Sequence, residues 1–134
     1  MIELSLPTNE HTVFIPVTQS LQKTATANGW KDGILTVYIP HTTAAVCIQE
    51  NADPDVVKDM IYALEKAVPW RDPHYAHSEG NTAAHVKAAM LGSSIQVIVQ
   101  DGHLQLGTWQ GVYFCEFDGP RARTFWVTFN PSGK

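Results

Sequence analysis

Apolar and polar positions alternate with a period near two along residues 2–6 and 11–17, which predicts two strands joined by a turn at Thr8-Asn9-Glu10. From Thr18 to Asn28 the spacing is helical, with Thr18 as N-cap and Gly29 as the stop. Gly33 opens Ile34-Leu35-Thr36-Val37-Tyr38-Ile39, a β-branched and aromatic run that Pro40 ends, and 42–49 resumes as a second extended segment. Asp53-Pro54 starts a helix, because Asp caps well and Pro at the first helical position loses no needed donor. Val57, Ile61, Leu64 and Val68 give that helix one core-facing stripe, and Pro69 stops it. Residues 70–80 read as a polar and aromatic loop. The helix after them, 82–91, has Asn81 or Thr82 as cap and Gly92 as stop, and it is alanine-rich enough to pack closely between other elements. From Ile95 the pattern is β: 95–100, a turn at Asp101-Gly102, a segment to Trp109, then 111–117. A hairpin turn at Asp118-Gly119 and a last strand over 122–129 follow. The fold class expected is α+β, mostly antiparallel sheet with two to three helices, in a single domain over residues 1–134.

Composition supports a packed core: 44% of residues are hydrophobic and only 16% charged, which excludes a disordered tail or a coiled coil. So small a charged fraction hints at self-association. A net charge of -4 argues against nucleic acid as a partner, since phosphate binding wants a basic face. No apolar run approaches the ~20 residues that span a bilayer, and no basic-then-apolar leader opens the chain, so a cytoplasmic protein with no membrane partner is expected. Cys47 and Cys115 sit in apolar strand-like runs and read as two buried thiols.

The histidines carry the first chemical signal. His41 follows Pro40 at a change of direction, His77 lies in the loop before the last helix, and His85 lies on that helix with only small residues around it. Gly80 lets the chain fold back so that His77 and His85 converge. Three neutral imidazoles would suit a first-row metal with a position left for water or substrate. Equally, His85 can be a satisfied core residue and His77 a solvated one. His11, His74 and His103 read as surface or turn residues. In Gln49-Glu50-Asn51-Ala52-Asp53, capping accounts for Asp53, whereas Glu50 and Asn51 are free to orient a ligand histidine or a polar substrate. Gly80-Asn81-Thr82 is either an anion site at a helix N-terminus or a plain cap. The two glycines around Trp109 and Gln110 fit a bulge that re-aims those side chains, or only a turn. Arg121 is either solvated or reaches an anion.

His41-Thr42-Thr43-Ala44-Ala45, Glu50-Asn51-Ala52-Asp53-Pro54, His77 with Glu79-Gly80, Ala84-His85-Val86-Lys87, Leu91-Gly92 and Leu106-Gly107-Thr108-Trp109-Gln110-Gly111 resemble, in this order, the YjbQ family. The resemblance spans nearly the whole chain and implies an α+β homotrimer with a histidine-lined pocket that can hold a divalent metal. His41, His77 and His85 would be the ligands, a set that suits zinc or manganese better than magnesium. Glu50, Asn51, Asp53, Trp109 and Gln110 fall in the family's other motifs and, with Arg121, are the catalytic candidates. Family members are often described as secondary thiamine-phosphate synthases, which join hydroxymethylpyrimidine diphosphate to thiazole phosphate and release pyrophosphate. On that reading the metal clamps the diphosphate, Arg121 or Lys87 adds positive charge, and Trp109 stacks on the pyrimidine. A metal-dependent hydrolase of a small polar or phosphorylated substrate is the alternative enzyme. A non-catalytic trimeric module that captures a small anionic metabolite is the alternative outside catalysis.

Overall fold

The computed structural model describes residues 1–133. Its strands are β1 (Ile2–Pro7), β2 (Val13–Pro16), β3 (Gly33–Tyr38), β4 (Ala44–Glu50), β5 (Ser94–Gln100), β6 (His103–Leu104), β7 (Gln110–Glu116) and β8 (Ala122–Pro131). The helices are α1 (Thr18–Ala27), α2 (Pro54–Ala67) and α3 (Thr82–Leu91). The strands form two antiparallel sheets, one in the order β1-β8-β3-β5-β6 and one in the order β2-β7-β4. The chain is thus α+β, as its pattern predicts.

The three-stranded sheet is the middle layer, and side-chain alternation shows why. Ala44 and Val46 of β4, with Val112 and Phe114 of β7, face the larger sheet and join Leu35, Val37, Val97, Val99, Phe125 and Val127 in one core. Their neighbours Ala45, Tyr113 and Cys115 point the other way and pack with Ala84 and Ala88 of α3 and with Val57, Ile61 and Leu64 of α2. A strand buried on both faces reads as an unbroken apolar run, which is how β4 and β7 read. The larger sheet has one open face. β5 alternates accordingly, with Val97 and Val99 inside and Gln96, Ile98 and Gln100 outside.

Several local expectations shift. Val17, not Thr18, is the N-cap of α1. The Thr18 hydroxyl instead accepts the Val112 amide at 2.9 Å, tying the helix to β7. The segment expected to run to Trp109 is a strand only over His103–Leu104. Asn81 caps α3 without a side-chain bond to it, and α3 is covered on one side only, with Val86 and Met90 exposed on the other. The largest correction is at Asp118-Gly119. This is not a hairpin turn, because β7 and β8 belong to different sheets and the chain crosses between layers there. The crossover packs on the one between β1 and β2, the Gly119 amide donating to the His11 carbonyl at 3.0 Å and the Thr8 amide to the Arg121 carbonyl at 2.9 Å. A Cβ at Gly119 would run into the Glu10 carbonyl, so the crossing needs glycine.

Candidate functional site

Beside these crossovers a cavity of about 440 Å³ opens, lined by His41, Thr42, Thr43, His77, Glu79, Asn81, His85, Asp118, Arg121 and Arg123. Its floor is an ion pair. Glu116 continues the inward face of β7 after Val112 and Phe114, and Arg123 precedes Phe125 and Val127 on the inward face of β8, so both charges point between the sheets. Arg123 Nε donates to Glu116 Oε1 at 2.8 Å and its Nη2 to the Thr43 hydroxyl at 2.8 Å, while the Thr8 hydroxyl donates to Glu116 Oε1 at 2.8 Å. Burial alone would raise the Glu116 carboxyl, but Arg123, the Asp118 amide and Thr8 outweigh it and hold it below the usual range.

His41 is set by a missing donor. The β3–β8 register pairs Tyr38 with Trp126, so two residues further Pro40 would face Thr124 without an N–H to offer. The His41 ring fills that place, with Nε2 2.8 Å from the Thr124 carbonyl oxygen and 3.2 Å from its amide. The shorter contact fits Nε2–H donating to the carbonyl, which leaves Nδ1 as the acceptor. Burial chiefly pushes the His41 imidazolium below its ordinary value and Arg123 adds to this, against the Thr124 carbonyl and Glu116. The ring is held neutral near neutral pH. His77 and His85 meet as expected: Gly80 has φ +72°, the chain folds back, and the rings stand edge to face with centroids 5.5 Å apart. Asp118 receives Asn81 Nδ2 at 2.8 Å and Arg121 at 3.0 Å, and this pairing aligns the guanidinium at the rim. Asn81 Oδ1 and the Thr82 hydroxyl are buried with no hydrogen-bond partner among the described residues.

The expected metal centre is not formed. Among the described residues no three His, Cys, Asp or Glu side chains are placed to hold an ion. His41, His77 and His85 hang from separate elements and line the walls of an open cavity, with His41 Nε2 already committed to β8.

Nor do the other catalytic candidates reach this cavity. β4 has 7 residues, so its ends lie roughly 20 Å apart. His41 is near its start. Glu50 is at its far end, paired with Gln110, beside Asn51, whose amide donates to the Trp109 carbonyl at 2.9 Å. Two of the candidates have local roles: Asp53 accepts the Asp55 amide as cap of α2, and Gln110 Oε1 accepts the Gly107 amide at 2.8 Å. Asn51 lies so close over Gly111 that a Cβ there would clash, and Trp109 projects into solvent, 63% exposed. Of the six catalytic candidates, only Arg121 stands with the histidines. Lys87 points elsewhere, being two residues on from His85 and so about 200° around α3. The thiols lie on the helix side of the middle sheet, Cys115 buried and Cys47 half-buried, with Sγ atoms 3.6 Å apart.

Sequence reasoning passed over Thr43, Asp118, Glu116 and Arg123. A signal existed for two of them: Glu116 and Arg123 are charges at inward positions of apolar strands, and such charges need each other.

The comparisons are consistent with this fold. The UPF0047 YjbQ-like family model matches residues 2–132. The chain is 47% identical over 124 residues to the UPF0047 protein YugU of Bacillus subtilis, covering 92% of this chain and 94% of that one. It is 41% identical to a UPF0047 protein of Methanocaldococcus jannaschii, over 95% and 91% of the two chains. A crystal structure of a YjbQ/UPF0047 protein from Clostridium acetobutylicum superposes with TM-score 0.94 at 48% identity, over 97% of this chain and 100% of that one. These relatives carry family names only. Together with the absent ligand triad, this overturns the thiamine-phosphate synthase reading, the metal-assisted chemistry under it and the metal-dependent hydrolase beside it.

Proposed function

The chain belongs to the UPF0047 family of YjbQ-like proteins, and from that premise we propose that its histidine-lined cavity receives a small metabolite bearing an oxyanion and exchanges protons with it. The observation that carries this reading is the convergence of His77 and His85, 5.5 Å apart, with Arg121 and the capped end of α3 on one polar cavity. The positive end of a helix and a guanidinium both favour an oxyanion. Two adjoining imidazoles supply ring nitrogens that can donate or accept a proton. His41, kept neutral by burial, offers an acceptor rather than a second charge. Asn81 Oδ1, buried without a partner, calls for a hydroxyl or amine on the same ligand.

Inorganic phosphate and malonate are suitable probes. Either should move the ring-proton NMR signals of His77 and His85, and Arg121→Ala should weaken that binding about tenfold, as for loss of one charge-assisted contact. Treatment with a chelator should leave it unchanged. Ring signals that stay still at millimolar probe would overturn the reading.

A further inference from the structure

A second cavity, of about 480 Å³, lies on the other side of α3 and is lined by His11, Glu65, Pro69, Trp70 and Lys87. Lys87 is the residue that demands explanation. It is only 2% exposed, yet among the described residues its ammonium has neither an ion pair within 4.0 Å nor a hydrogen-bond partner. It stands over the face of Phe117, with Nζ 6.0 Å from the ring centre, and the Glu65 carboxylate acts on it only from beyond ion-pair distance. Lysine is almost never buried without a partner, because stripping water from an ammonium costs several kcal/mol unless an anion or acceptors replace it. A surface lysine would have turned outward. This one is held inward by its place on α3, between the buried Ala84 and Ala88.

The rest of the wall indicates what would meet it. Trp70 and Pro69 present apolar surface, and His11 stands perpendicular to Trp70 with ring centres 4.4 Å apart, so one wall of the pocket is aromatic. Glu65 belongs to the exposed side of α2, where water screens its charge. The two polarities therefore separate by depth, with a cation inside and a carboxylate at the mouth. We infer that this cavity is a binding site for a small planar carboxylate, its ring lying against Trp70 and Pro69 and its carboxylate seated on Lys87. The site is distinct from the histidine cavity, with which it shares no lining residue.

Benzoate is the probe, with Trp70 fluorescence and calorimetry as readouts. Benzoate should bind the wild-type chain, and benzamide, the neutral isostere, about tenfold or more weakly, the usual worth of a hydrogen bond to a charged group. Acetate, which lacks the ring, should also fall behind. Lys87→Met fills the same space without charge and should abolish the preference for benzoate over benzamide while the circular dichroism spectrum is kept. Should Lys87→Met fail to fold, Trp70→Leu should reduce benzoate and benzamide affinity together. Glu65→Gln should leave benzoate binding intact or strengthen it. Arg121→Ala, which tests the histidine cavity, should not affect benzoate, so the two proposals fail separately. Equal affinity for benzoate and benzamide, or no binding at millimolar benzoate, would overturn the inference.

Discussion

At the scale of single residues, His41 links the fold to pH. Its folded pKa lies below the ordinary value, so the unfolded chain takes up a proton more readily. The stability tied to the neutral ring is complete above the unfolded pKa of ~6.5 and is lost as pH falls toward the folded value. Urea unfolding should show wild-type stability declining as pH drops below this point. His41→Gln, which keeps an amide donor for the Thr124 carbonyl and does not titrate, should flatten that decline; an unchanged slope would assign it to another group. Glu116 acts in a separate, more acidic window. Its depressed pKa means that its contribution is present above ~4.3 and disappears below it. Arg123→Met leaves a buried carboxylate without its cation and should cost about 3–5 kcal/mol by denaturant titration. The double variant Glu116→Leu/Arg123→Met should cost less than Arg123→Met alone, since no charge is then stranded.

Among the elements, α3 has the most exacting sequence. Ala83, Ala84 and Ala88 bring its backbone close to the middle sheet, while His85 and Lys87, on opposite sides, look into different cavities. A larger side chain at the contact must push the helix outward. Ala84→Leu should therefore destabilise the fold by about 1–3 kcal/mol in thermal or denaturant melts and also disturb phosphate binding at His85, because the ring moves with the helix. Cap and stop residues made α2 and α3 readable in advance, because such signals act within one turn. The β7–β8 connection was not readable in the same way. Asp-Gly marks a reversal of the chain, and a reversal looks alike in sequence whether the next strand joins the same sheet or the facing one.

For the whole molecule, the layered order leaves Tyr62 of α2 and Val86 and Met90 of α3 exposed on the helical side. The homotrimer implied by the family resemblance is retained as a proposal. Light scattering on the purified chain should give a mass near three times 14.8 kDa, and a monomeric mass at micromolar concentration would refute it. Among the described residues no helix is long and apolar enough to cross a membrane.

The chain alone determined most of the elements, the antiparallel α+β class, the meeting of His77 with His85 around Gly80, and the capping role of Asp53. The elements, the histidine pair and the cap depend on contacts between residues near one another along the backbone, and the class follows from the order of the elements. Tertiary structure alone decided which candidates share a site. It carried Glu50, Asn51, Trp109 and Gln110 to the end of the molecule away from the histidines and closed Glu116 on Arg123 between the sheets. Those outcomes depend on which sheet each strand enters and which face it buries. Packing of the complete chain sets these choices, and short-range patterns do not encode them.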